Sequence, residues 1–188
     1  MPQVFCYGAL MAQPHVLEHG RHAVLPGYSA RFVLRGIPFV EPRFLALVED
    51  ADAEAHGVLF SIDDAGWEEM SRHEMTYERR LVRVQAGDEE VEAIALVAPR
   101  WVLRTERPPS ARYARLLVVG GQAHGLPDEL VARWRGYAET GPKLSIHLAG
   151  LRYPVVWLAR YIGTPAAALI VLLTITGLAA GCVRLLLG

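Results

Sequence analysis

The segment WEEMSRHEMTYERR, Trp67 to Arg80, contains one carboxylate where a helix should carry none. At about a hundred degrees per residue, Glu68, Glu69, Arg72 and His73 share one side, while Glu74 falls between Trp67 and Met70 on the other. Desolvating an ionised acid on an apolar face costs on the order of several kcal/mol. Glu74 is therefore either half of an ion pair, with Arg72, Arg79 or Arg80 as partner, or an acid whose environment fits it for proton transfer. A second feature is YGALM, Tyr7 to Met11, which directly follows a strand-like run. Its glycine allows a sharp turn or the close approach of a ligand, and its N–H groups could cradle a carboxylate or an oxyanion. By spacing alone it is also an ordinary tight turn. His15, His19 and His22 could share one helical face, a spacing that can bind a metal. Gly20 weakens that helix and no nearby carboxylate completes a site, so these read as solvated loop histidines and no metal is expected. Cys6 and Ser71 have no evident base partner and read as a core thiol and a helix hydroxyl.

These residues must be positioned by a strand-rich region followed by helices. QVFCY, GYSARFVLR, FLALVED and AHGVLFSI alternate with turn signals and read as four strands. Ser61, Asp63 and Asp64 are N-cap candidates for a helix running to about Glu74. YERRLVRVQA and EVEAIALVAP then resume strand character around AGDEE, and the unalternating run Ala93–Ala98 suggests a strand buried on both faces, as in a small barrel. After Pro108-Pro109, Tyr113, Leu116, Leu117, Gly120 and His124 share a helical face opposed by Arg112 and Arg115. Gly125 reads as a helix stop, and a further helix follows with Pro127 in its first turn and Asp128-Glu129 at its positive end. Strands first and helices last make the class α+β.

The 188 residues suit one domain with something added, and the near-neutral charge of −1 gives no electrostatic case for nucleic acid. The addition is the tail. Tyr161 to Val183 holds no charged side chain, a run longer than the roughly 20 residues that cross a bilayer as a helix. Tyr153, Trp157 and Tyr161 suit an interface, and Lys143, Arg152 and Arg160 outnumber Arg184, which places the folded domain on the cytoplasmic side of a single-pass membrane protein. Gly177 and Gly181 form a GxxxG pair that offers a tail-mediated dimer, or are small residues in a lipid-facing helix. The N-terminus lacks the pattern of a signal peptide. Two cysteines, Cys6 and Cys182, offer neither a disulfide framework nor metal-ligand spacing, which is consistent with a reducing compartment.

Taken in order, FCYGALM, GY..RF, HGVLFSI, E..Y.RR..V.V around Glu74 and PSARYARLLVVGGQAHGLP resemble the γ-glutamylcyclotransferase-like (AIG2-like) family over about the first 130 residues. The resemblance implies a small mixed β-barrel with flanking helices, and conversion of a small γ-glutamyl amide or peptide into 5-oxoproline and a free amine without metal or cofactor. It also implies that Tyr7, Gly8, Ala9, Leu10 and Met11 cradle the substrate, that Glu74 is catalytic, and that Tyr77 and Tyr113 line the site. Two departures matter: many members have Ser at the position of Ala9, and the glutamate-to-tyrosine spacing is short here. The expected organisation is a γ-glutamylcyclotransferase-like domain over 1–140, a juxtamembrane linker over 141–160 and a transmembrane helix over 161–185. The alternatives are a non-catalytic membrane-anchored binding module of the same fold and an enzyme removing a γ-glutamyl group from a biosynthetic intermediate.

Overall fold

A computed structural model describes residues 1–37, 41–73 and 77–141. Its central feature is a closed five-stranded barrel built from β1 (Gln3–Cys6), β2 (Arg21–Ile37), β3 (Glu41–Ser61), β4 (Glu78–Ala86) and β5 (Glu89–Val97), in the order β1-β3-β2-β4-β5. β1 closes it, running antiparallel to β3 and parallel to β5, with Val4 opposite both Phe60 and Ile94. That closure depends on Gly57 of the HGVLF run. A Cβ there would lie 2.4 Å from the Cys6 carbonyl oxygen and 2.7 Å from the Phe5 ring, so a side chain would force β1 away from β3. Phe5, Leu25, Leu47, Val58 and Leu59 of β1, β2 and β3 are all almost wholly buried, the consecutive Val58 and Leu59 on opposite faces of β3, so that the sheet is covered on both sides here. Cys6 joins this core, where burial pushes its thiol well above the ordinary range and leaves it un-ionised.

The two strands expected over 44–50 and 55–62 are one continuous 21-residue strand, and β2 begins at Arg21 rather than after Pro26. The acidic stretch between the two apolar runs projects into solvent as part of the strand: Glu49 and Glu54 at its ends pair with Tyr28 and Pro26 of β2, and the residues between them lie opposite the single residue Gly27. The register slips where Pro26 meets Glu54 and Tyr28 meets Glu49, beside Gly27 at a φ of 75°. Extra residues on the β3 side form an irregularity that lets so long a ribbon bend around the barrel.

Helix α1 (Pro14–His19) follows a 3-10 turn over Ala9–Ala12. Helix α2 (Asp64–His73) is capped by Asp63, whose Oδ1 accepts from the Gly66 N–H at 2.8 Å. A second 3-10 turn spans Arg100–Val102 and precedes α3 (Ala111–Ala123) and α4 (Asp128–Thr140). As the periodicity predicts, Tyr113, Leu117 and Gly120 of α3 are buried; Ala114 and Gly121 join them, and α4 adds Val131 and Trp134. Gly125 ends the α3 segment at a φ of 63°, and Pro127 is the N-cap of α4 rather than a first-turn residue. Among the described residues no helix is long and apolar enough to cross a membrane. All but the first residue of the expected linker over 141–160, the span over 161–185 and the Gly177/Gly181 pair lie outside the described residues.

Candidate active site

The YGALM loop leaves the end of β1 and turns at once into the 3-10 helix, with the Met11 N–H donating to the Gly8 carbonyl at 3.0 Å and the Gln13 N–H to that of Leu10, also at 3.0 Å. Gly8 is extended, with φ of −119°, so the loop does not use the left-handed freedom of glycine. Its small size is what matters. A Cβ on Gly8 would lie 3.1 Å from the Tyr113 hydroxyl of α3, tighter than ordinary van der Waals contact. Two helical turns further along α3, a Cβ on Gly120 would lie 2.5 Å from the Met11 Cβ. Met11 is 0% exposed. The loop is thus clamped between barrel and α3 from both ends. The first residues of a 3-10 turn have no preceding carbonyl of that turn for their N–H groups, so Ala9 and Leu10 bring donor capacity that the turn itself does not use.

Tyr7 is buried at 6% exposure, stacks against Phe5 and donates its hydroxyl to the Leu96 carbonyl at 2.7 Å, fixing the end of β1 to β5. Tyr113 is positioned with equal care. Phe44 meets its ring edge-on at a centroid distance of 5.2 Å, its hydroxyl accepts weakly from the Leu45 N–H at 3.4 Å, and its own N–H donates to the Ser110 Oγ at 3.1 Å. Behind it lies a residue that the sequence reading missed. Glu41 is only 2% exposed, accepts from Ser110 Oγ at 2.6 Å and takes the Arg112 Nε and Nη2 at 3.0 and 2.6 Å. Arg112 was expected simply to oppose the buried face of α3; instead its guanidinium closes a buried ion pair that ties the start of β3 to the first turn of α3. The signal was present in GIPFVEPRFLALV, a carboxylate opening an apolar strand.

The structure thus brings Tyr7, Gly8, Ala9, Leu10, Met11 and Tyr113 together around one core cluster. Tyr77 packs instead against a second cluster of Val33, Leu34, Ala46, Ala98 and Val102, with Phe44 touching both. Glu74 lies outside the described residues, immediately after the last residue of α2. Trp67 and Met70 pack against the main core, as the face assignment predicts. Of the cations considered as structural partners for Glu74, Arg80 is held by Glu49 and by Glu78 at 3.1 Å, and Arg79 stacks over the Trp67 ring at 4.8 Å.

The three histidines do not converge. His15 and His19 are in edge contact on α1, with His15 Nε2 3.0 Å from the Ser61 carbonyl, while His22 sits on β2 against His56, Nε2 to Nδ1 at 3.0 Å. Gly20 separates the two elements, and its packing explains why: a Cβ there would lie 2.5 Å from Val58 and 3.0 Å from His124.

The family described as gamma-glutamyl cyclotransferase, AIG2-like, matches residues 4–115. Among solved structures, YkqA from Bacillus subtilis aligns with a TM-score of 0.62 at 22% identity over 76% of this chain and 56% of its own, so the match spans little more than half of that protein. A protein described as a gamma-glutamyl cyclotransferase aligns with a TM-score of 0.61 at 14% identity, over 78% of this chain and 90% of its own. The uncharacterized protein loc79017 from Homo sapiens aligns with a TM-score of 0.60 at 15% identity, over 77% and 89%. At these identities the structures speak to the fold. No curated protein matches the chain by sequence.

Proposed function

The chain belongs to the AIG2-like γ-glutamyl cyclotransferase family, and on that premise we propose that it cyclises a small γ-glutamyl amide or peptide to 5-oxoproline and releases the amine. The observation that carries the reading is the clamped YGALM loop: Gly8 beneath the Tyr113 hydroxyl and Met11 against Gly120 hold the Ala9 and Leu10 N–H groups in place before any substrate arrives. Such donors suit a substrate carboxylate or the oxyanion formed at its δ-carbonyl. In the reaction the α-ammonium loses one proton before its nitrogen bonds the δ-carbon and a second afterwards, and the original amide C–N bond breaks as the leaving nitrogen takes up these protons and departs as an ammonium. A pocket that holds the substrate folded makes the attack effectively unimolecular. Glu74 is assigned these transfers, as base and then as acid. The engagement of Arg80 with Glu49 and Glu78 supports this over a structural pairing of Glu74 with Arg80.

The tail over 161–185 is read as a tether that keeps residues 1–140 at the cytoplasmic face of a membrane, the basis being its uncharged run and flanking basic residues. Two experiments test these readings. Purified protein incubated with a library of γ-glutamyl amines and dipeptides should release 5-oxoproline from at least one; ligand-induced stabilisation without turnover across the library would make it a binding module instead. Removal of the residues after Arg160 should move the protein from membrane to soluble fraction, and solubility with the tail intact would end the tether reading.

A further inference from the structure

Register places Arg35 of β2 directly opposite Arg43 of β3, and like charges in that relation repel. The segment before α3 adds two more. Leu103 bridges Leu34, and the Arg104 and Arg107 N–H groups donate to the Val33 and Phe32 carbonyls at 2.8 and 3.2 Å. Burial and the neighbouring Arg107, Arg104 and Arg35 lower the proton affinity of Arg43; burial and Arg104 do the same for Arg35. Among the described residues none of the four has a carboxylate at ion-pair distance. Glu106 of the same loop holds Arg31 at 3.0 Å, and Glu41 holds Arg112. Backbone carbonyls fix two of the guanidiniums instead: Arg43 donates to Thr105 at 3.1 Å and Pro42 at 2.7 Å, Arg104 to Trp101 at 2.8 Å and Leu103 at 2.6 Å. Four neighbouring positive charges with no counter-charge among the described residues make a surface that calls for an external anion.

The chain's own path says which. Gly141, where α4 ends, lies against this segment: a Cβ there would be 2.9 Å from both the Pro109 carbonyl oxygen and the Ala111 nitrogen. Gly141 thus lies against Pro109, two positions in sequence after Arg107, and in sequence residues 142–160 join it to the uncharged run. Even fully extended, that stretch reaches about 60 Å, and about 30 Å if helical. Trp101, 53% exposed in the adjoining turn, is of the type that settles at headgroup level.

We infer that Arg35, Arg43, Arg104 and Arg107 form a docking surface for the phosphate groups of an anionic bilayer, orienting the domain on the membrane to which its tail is joined. The choice of partner rests on the tether reading; the site rests on the arginines. Each basic side chain at an anionic surface strengthens partitioning by roughly fivefold, so removal of two weakens it roughly 25-fold.

The test uses the full chain with vesicles of phosphatidylcholine alone or mixed with phosphatidylserine. Flotation with phosphatidylcholine reads the tail; phenylglyoxal modification, resolved by mass spectrometry, reads the arginines. Slower modification of all four in the serine-containing vesicles, reversed by high salt and absent at Arg83 of β4, is expected. Arg35→Gln with Arg107→Gln should abolish most protection of Arg43 and Arg104 while leaving melting temperature unchanged or raised, since a repulsion is relieved. Flotation with equal reactivity in both vesicles overturns the surface and leaves the tether standing. Protection without flotation on phosphatidylcholine overturns the tether and leaves the surface. Flotation with neither composition overturns both, and equal protection by inorganic phosphate in detergent overturns the bilayer assignment in favour of a soluble anion.

Discussion

Replacement of Glu41 by Gln removes one charge while keeping shape. Three hydrogen bonds converge on this carboxylate, one from Ser110 and two from Arg112. A hydrogen bond involving a charged group contributes about 1.5–3 kcal/mol, and breaking a buried ion pair costs about 3–5 kcal/mol. The guanidinium of Arg112 retains 26% exposure and can recover some hydration, which moves the expected loss to the lower end, about 3 kcal/mol. For a domain of this size that lowers the melting temperature by roughly 10 °C. Because Ser110 also caps α3 and receives the Tyr113 N–H, the same substitution should loosen Tyr113 above Gly8 and reduce kcat more than it raises KM. The assay is denaturant unfolding of wild type, Glu41→Gln, Arg112→Gln and the double variant. A coupling energy above about 1.5 kcal/mol is expected. A Glu41→Gln variant within about 0.5 kcal/mol of wild type would refute the claim that the pair fastens β3 to α3.

Gly8→Ala should cost activity through displacement of Tyr113, and the cost should shrink in a Tyr113→Phe background because the obstructing oxygen is gone; equal losses in both backgrounds would show that the Tyr113 contact is not the constraint. Gly120→Ala presses on Met11 and should destabilise by about 1–3 kcal/mol in thermal unfolding, with wild-type stability contradicting the clamp. His22 is held below its ordinary value of 6.5 by burial first and then by His56 and His124, against the opposing pull of Glu54. The unfolded chain then binds the proton more readily, so the stabilisation is complete above pH 6.5 and is lost as pH falls toward the folded value; His22→Gln should flatten that acid limb of a stability-versus-pH curve.

What could be read from sequence followed periodicity and punctuation. The Trp67–Met70 face, the Asp63 cap, the Gly125 stop and the buried stripe of α3 needed only local pattern, and each is present. The long β3 was harder, because a charged interval between two apolar runs reads as a turn unless its backbone partner on β2 is known. Glu41 and Arg112 are separated by 71 positions, and a helix wheel shows which side Arg112 occupies but not what waits there. The same limit applies to Gly8, read as allowing a sharp turn or the close approach of a ligand: the closeness of the Tyr113 hydroxyl to it depends on tertiary packing. Tyr77, carried over from the resemblance as a residue lining the site, packs on the cluster of Val33, Leu34, Ala46, Ala98 and Val102, a long-range contact that motif order does not reveal.

The central claim is that Glu74 moves the proton in a cyclisation carried out beside the YGALM loop. Wild-type protein and Glu74→Gln, matched for thermal stability, should be compared for 5-oxoproline release from the best γ-glutamyl substrate of the library. The account predicts release by wild type and a loss of at least about a hundredfold in kcat for the variant, the scale of general acid–base catalysis. Undiminished release by Glu74→Gln would contradict it.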